Sequence, residues 1–185
     1  KRTIDLVLAA SAFGALALPM GAIACLVKAT SKGPALYWSV RVGKDNVHFD
    51  MPKFRTMRID TPTVATHLLN DPSTYLTPIG GFLRRTSLDE LPQVWSILRG
   101  DMSFVGPRPA LFNQEDLIEL RTKEGVESLV PGLTGWAQIN GRDELPIPDK
   151  VALDAEYLRR QSTWLDLKIV LLTVAKVLAR NDVSH

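Results

Sequence analysis

Asp89 and Glu90 are adjacent carboxylates in the run Arg84-Arg85-Thr86-Ser87-Leu88-Asp89-Glu90-Leu91-Pro92-Gln93, just before an apolar helical pattern. Two readings compete for them. Ser87 and Glu90 have the spacing of a capping box, in which each side chain bonds the other's backbone amide at a helix start. Pro92 fits that reading poorly, because it has no amide to give the carbonyl of Leu88. Asp89 lies outside the box altogether. Beside two arginines and a helix start, its carboxylate is expected to stay ionised and to serve as nucleophile or metal ligand, with Glu90 as proton acceptor or second ligand. Further cations stand in loop-like contexts. Lys53 lies in Pro52-Lys53-Phe54-Arg55-Thr56-Met57, Arg108 between two prolines in Gly106-Pro107-Arg108-Pro109, and Arg142 after Asn140-Gly141. The prolines stiffen the backbone and lower the entropy lost when Arg108 clamps an anion. Each of these cations, taken singly, also reads as a solvated turn residue. Lys53, Arg84, Arg108 and Arg142 around one acidic pair are together what a polyphosphate substrate with a divalent metal needs.

Other chemistries find little support. His48, His67 and His185 are scattered, and the sequence has no Gly-rich phosphate loop, no Gly-x-Ser-x-Gly and no His-x-x-x-His. Basic and acidic residues nearly balance at 22 and 20, a net +2 without an aromatic-basic repeat, which argues against nucleic acid. The single Cys25 allows neither an internal disulfide nor a thiolate zinc site, and reads as a small hydrophobe.

The elements that must position these residues begin with an apolar run. Between Leu6 and Val27 there is no charge, and only Ser11, Gly14, Pro19 and Gly21 interrupt the apolar residues. As a straight helix this run would be about 33 Å long, enough to cross a hydrocarbon core. Pro19 removes a hydrogen bond past its middle, and Lys1, Arg2, Lys28 and Lys32 place positive charge on both flanks. The expectation is a helix that enters, bends and returns; a single kinked transmembrane helix is the competing reading. A lipoprotein signal peptide is disfavoured, because the leucine usually found three residues before the cysteine is Ala22 here.

Beyond Gly33-Pro34 the pattern predicts a strand over 36–42, a turn at 43–46 and a returning strand over 47–57. Residues 60–78 read as loop with one short helix over 64–69. Helices are expected over 91–98, 113–122, 149–161 and 163–180, with a short strand over 136–140 and a positive-φ turn at Asn140-Gly141. On the last helix Trp164, Leu167, Val170, Leu171, Val174, Ala175, Val177 and Leu178 share an arc of about 160°, opposite Lys168, Lys176 and Arg180. That face suits either an ordinary core or the headgroup plane of a bilayer. The fold class is α+β: a mostly helical, membrane-associated domain with a re-entrant N-terminal helix (1–30), amphipathic interfacial helices and a small β-hairpin or sheet within a catalytic unit (31–185).

Several motifs in this order resemble the bacterial monotopic phosphoglycosyl transferases. They are Lys1-Arg2-x-x-Asp5, Lys53-Phe54-Arg55-Thr56-Met57, Arg84 before Asp89-Glu90, Leu91-Pro92-Gln93, the string Gly100 to Pro109, Pro131 to Trp136, Asn140-Gly141-Arg142 and Asp166-Leu167-Lys168. The resemblance covers nearly the whole chain and points to the small form of the family, without extra transmembrane helices. It implies transfer of a sugar 1-phosphate from a UDP-sugar to polyprenyl (undecaprenyl) phosphate, with Mg²⁺ and release of UMP. The setting implied is the cytoplasmic face of the bacterial inner membrane, with the lipid bilayer as partner, no nucleic acid, and a homodimer as an allowed assembly. By the same resemblance Asp89 would be the nucleophile that forms a phosphosugar ester, and Glu90 its partner in metal binding or proton transfer. Arg84, Arg108 and Arg142 would hold phosphates or nucleotide, and Lys53 would complete the cationic wall. The sequence departs from the family pattern at Leu18, where a serine usually precedes the proline, and at Pro52, where an aromatic residue is common. The rival class is a membrane-anchored nucleotide-sugar-binding protein without turnover, which would gain nothing from two added carboxylates.

Overall fold

The computed structural model describes residues 1–62, 71–141 and 145–179. Its first element, α1 (Arg2–Thr30), is one 29-residue helix with Pro19 inside it, long and apolar enough to cross a membrane. Only Asp5, Ala9, Ile23 and Val27 of α1 are buried, whereas Leu18, near its middle, is 88% exposed. The two ends of α1 therefore rest on the rest of the protein and the centre does not. Near the start, Ala9 packs with Met51, Val94, Ile97 and Met102. Near the end, Ile23 and Val27 pack with Phe54 and Leu83.

β1 (Leu36–Val42) and β2 (His48–Phe54) form the expected antiparallel hairpin, with Leu36 opposite Phe54 and Val42 opposite His48. Its tip uses positive φ at Asp45 and Asn46, residue types that tolerate the left-handed region. After the loop, a 3₁₀ turn at Pro72–Tyr75 is capped by Asp71, whose carboxylate accepts from the Ser73 amide. The helix expected over 64–69 lies outside the described residues.

Gly80-Gly81 opens a helix, α2 (Gly80–Arg85), that the sequence pattern does not predict. Gly80 is required there because a Cβ would collide with the backbone oxygen of Thr56. The helix expected over 91–98 is divided. A 3₁₀ turn, Leu88–Gln93, precedes α3 (Val94–Arg99), and Pro92 inside the turn explains why the α-helix starts only after it.

β3 (Ser103–Val105) and β4 (Gly132–Thr134) pair in parallel, Ser103 with Gly132 and Val105 with Thr134. The crossover between them carries α4 (Glu115–Lys123), as a parallel pair demands. The strand expected over 136–140 is instead a helix, α5 (Trp136–Asn140). Five residues cannot separate the two periods, and here tertiary contact decides: Trp136 Nε1 donates to Glu156 Oε2 at 3.0 Å. Gly141 has φ 167°, so the expected positive-φ turn is absent; a Cβ there would approach Leu145 Cγ to 2.6 Å.

α6 (Ile147–Arg160) starts two residues before the expected point, and α7 (Thr163–Ala179) follows. Leu165 and Ile169 of α7 enter the main core with Val105, Val126, Leu129, Ile139, Ala155 and Tyr157. Of the wide apolar arc, Val170 at its edge packs against this core, but most of the arc does not. Trp164, Leu167, Leu171, Val174 and Val177 stay exposed, so α7 reaches the core through a different, narrower strip.

Candidate active site

β2 packs against the Leu88–Gln93 turn and so brings Lys53 to the acidic pair. Alternation along β2 sends Phe54 into the core beside Leu83, and its neighbour Lys53 the other way, onto Glu90. Lys53 Nζ lies 2.8 Å from Glu90 Oε1, and Arg108 Nη2 lies 3.1 Å from the same oxygen. Pro52, the departure from the family pattern, is buried and does not divert Lys53 from this contact. Arg84 comes from α2 and is braced on the Lys53-to-Met57 stretch: its Nε donates to Thr56 Oγ1 at 3.2 Å and its Nη2 meets Met57 Sδ at 3.6 Å. From there its charge acts on both Asp89 and Glu90. Arg142 lies outside the described residues, so of the sequence-selected set the structure gathers Lys53, Arg84, Asp89, Glu90 and Arg108.

The capping box does not form. Ser87 is left-handed, with φ 56°, and makes no side-chain cap bond; only its backbone oxygen accepts from the Glu90 amide, at 3.2 Å. The Glu90 carboxylate is occupied by Lys53 and Arg108 instead. Burial alone would raise the Glu90 carboxyl, but these two cations outweigh it and hold the group well below the usual carboxylate range. Asp89 behaves in the opposite way. Lys53 and Arg84 favour its anion, as expected of neighbouring positive charge, but burial, with Glu90 adding to it, outweighs them and raises the carboxyl above its ordinary value. Among the described residues none forms an ion pair with Asp89, whereas Glu90 takes two. Lys53 is pulled down by burial, an effect that Glu90 opposes and that Arg108 and Arg41 reinforce.

Arg41 is a cation that the sequence reading missed. It lies on β1, donates from Nε to Ser39 Oγ at 3.0 Å and from Nη1 to the Pro109 carbonyl at 3.2 Å, and acts on Lys53. Its only sequence signal is a charge between two valines in a strand pattern. The arginine of the Lys53-to-Met57 stretch, Arg55, turns away to the carbonyls of Pro34 and Leu36.

Among the described residues no three His, Cys, Asp or Glu side chains converge as a cation cage. Mg²⁺ does not need one, since it is commonly held by one or two carboxylates with substrate phosphates and water. The donor chemistry of this pair fits that mode. The cations engage Oε1 of Glu90, which leaves Oε2 and the Asp89 carboxylate for a small hard ion.

The sequence profile of the family described as bacterial sugar transferase matches residues 1–180. A UDP-glucose:undecaprenyl-phosphate glucose-1-phosphate transferase of Escherichia coli K12 is 43% identical over 185 aligned residues, covering 95% of this chain and 39% of that protein. An undecaprenyl-phosphate glucose phosphotransferase of Komagataeibacter xylinus is 39% identical, covering 98% of this chain and 36% of that protein. A protein of Caulobacter vibrioides with the same name as the E. coli one is 40% identical, covering 98% of this chain and 71% of its own length. The chain thus spans under two-fifths of the length of the first two relatives. A family match over nearly every residue, on a chain whose acidic pair is gathered with basic residues from three separate segments, leads to one assignment: the chain belongs to the bacterial sugar transferase family.

Proposed function

We propose that this protein is a phosphoglycosyl transferase that moves a sugar 1-phosphate from a UDP-sugar to polyprenyl phosphate. The observation that carries the reading is the buried Asp89 beside a Glu90 already neutralised by Lys53 and Arg108, in a body that also holds both ends of an apolar helix. The relatives' names supply the substrate classes.

In the first step an Asp89 carboxylate oxygen attacks the sugar-linked phosphorus, the bond from that phosphorus to the bridging oxygen breaks, and UMP leaves with the electron pair. In the second, an oxygen of polyprenyl phosphate attacks the aspartyl phosphosugar, the Asp89 oxygen leaves, and a polyprenyl diphosphate-sugar forms. Two displacements allow a fixed nucleophile to take the phosphoryl group before the lipid acceptor arrives. Burial leaves Asp89 with little solvation to lose when it attacks. Glu90, held ionised, keeps Lys53 and Arg108 in place at the edge of the diphosphate site, where Arg84, whose charge acts on the same pair, would join them in holding the phosphates. Asp89 and Glu90 Oε2 would hold Mg²⁺, which when bound supplies charge neutralisation for the diphosphate.

The exposed centre of α1 and the exposed apolar arc of α7 support a bilayer location, with α1 re-entrant and the site on the cytoplasmic face. The test is UMP release measured over a panel of UDP-sugars with polyprenyl phosphate and Mg²⁺ in detergent or nanodiscs. Release that depends on lipid acceptor is expected; no release with any donor would leave a binding protein without turnover.

A further inference from the structure

The segment Gly106 to Ala110 carries Arg108 to Glu90, yet Pro107 and Pro109 have no amide with which to anchor it. Beyond the Gly106 amide, which donates to Thr134 O, the segment is held through its carbonyls, four in a row, by three elements: β4, α4 and β1. Pro107 O accepts from the Gly132 amide at 2.9 Å and Ala110 O from the Val42 amide at 3.0 Å. Pro109 O accepts from Arg41 Nη1 at 3.2 Å, and Arg108 O from Arg121 Nη1 at 2.9 Å.

The last of these has an unusual origin. Arg121 of α4 is 8% exposed and directs Nε (3.0 Å) and Nη2 (2.7 Å) onto Oδ2 of Asp154 of α6, which is 1% exposed. A buried ion pair is a poor source of stability, because desolvation of both charges offsets their attraction. It is a good source of geometry. A guanidinium locked on a carboxylate by two bonds has its third nitrogen fixed in plane and direction, and here that nitrogen meets the one carbonyl that belongs to Arg108.

We propose that Arg121, oriented by Asp154, is a positioning residue: it fixes the Arg108 backbone and thereby seats the Arg108 guanidinium on Glu90. The catalytic consequence rests on the phosphoglycosyl transfer reading; the geometric one does not. A backbone shift of about 1 Å at such a site costs on the order of 100-fold in rate.

The double variant Arg121→Met/Asp154→Leu removes both charges together, so no lone buried charge remains, and it is expected to fold with a Tm at or above that of wild type. Arg121→Lys, which keeps a cation for Asp154 but lacks the fork, serves if the double variant does not fold. Two readouts are taken on the full chain in nanodiscs. Arginine-labelled NMR should show guanidinium rotation of Arg108 at least about tenfold faster than in wild type, and kcat for UMP release should fall about 10- to 100-fold with a smaller change in KM. Adding Arg108→Gln to the folded variant should then cost less than about threefold more, well below its cost in wild type. Unchanged Arg108 rotation in a folded variant, or effects that multiply in full, would overturn the proposal. If wild type releases no UMP from any donor while Arg108 still loosens in the variant, the positioning role stands and the proposed reaction falls.

Discussion

Asp89 and Glu90 occupy one turn but differ in company: Lys53 and Arg108 share Glu90 Oε1, while burial raises Asp89 against the pull of Lys53 and Arg84. Stability and chemistry should therefore separate in the two variants. Asp89→Asn removes the attacking oxygen and is expected to lower turnover by about three orders of magnitude or more, and to abolish the phosphosugar adduct seen by intact-protein mass spectrometry with UDP-sugar alone. Because the folded carboxyl lies above its ordinary 3.8, ionised Asp89 works against the fold at neutral pH, and the variant's Tm should be no lower than wild type. Glu90 has the opposite sign. Its folded value lies below the ordinary 4.5, so its contribution is complete above that pH and is lost as pH falls below it. Glu90→Gln should cost about 2 kcal/mol at pH 7 in denaturant unfolding, with the gap to wild type closing under acid conditions. A gap that widens on acidification would contradict the pairing with Lys53 and Arg108.

Elements carry the site by backbone contacts that leave faint traces in sequence. The parallel pair β3–β4 places Gly106, and a Cβ on Gly132 would collide with the Gly106 backbone. Gly132→Ala should therefore lose about 3 kcal/mol or more, read as a lower denaturation midpoint, although it removes no side-chain contact. Long periodic segments were legible beforehand: the hairpin 36–54 and the helices at 115–123, 147–160 and 163–179 lie close to their expected positions because many residues vote on one period. Three-residue strands and a five-residue helix give no such vote, which is why β3 and β4 were not anticipated and α5 was read as a strand. At the site, charged residues beside turn formers were legible, and Lys53, Arg84 and Arg108 do meet Asp89-Glu90. Arg41, Arg121 and Asp154 were not, since each lies inside a regular element and its role depends on which carbonyl or partner comes within reach.

At the scale of the whole molecule, α1 is attached to the body at both ends. At its start Lys1 Nζ donates to Val105 O (2.8 Å), Tyr157 Oη (2.9 Å) and Asp166 Oδ2 (2.7 Å), and Asp5 accepts from Ser103 Oγ at 2.9 Å. At its end Val27 is fully buried beside Phe54 and Leu83. On the proposed bilayer location, a helix held at both ends by one body should have both ends on the same side of the membrane. In a Cys25→Ser background, Thr3→Cys and Lys32→Cys, both at exposed positions, should react with an impermeant thiol reagent from the cytoplasmic side; protection of either one would rule out the re-entrant path. The Lys1 contact with Asp166 also has a consequence in time. The two residues are separated by 165 positions, so at a synthesis rate of about 5 to 20 residues per second the start of α1 waits roughly 8 to 33 s for its last partner. The apolar helix is made first, and the body that holds both its ends is closed only when α7 emerges from the ribosome.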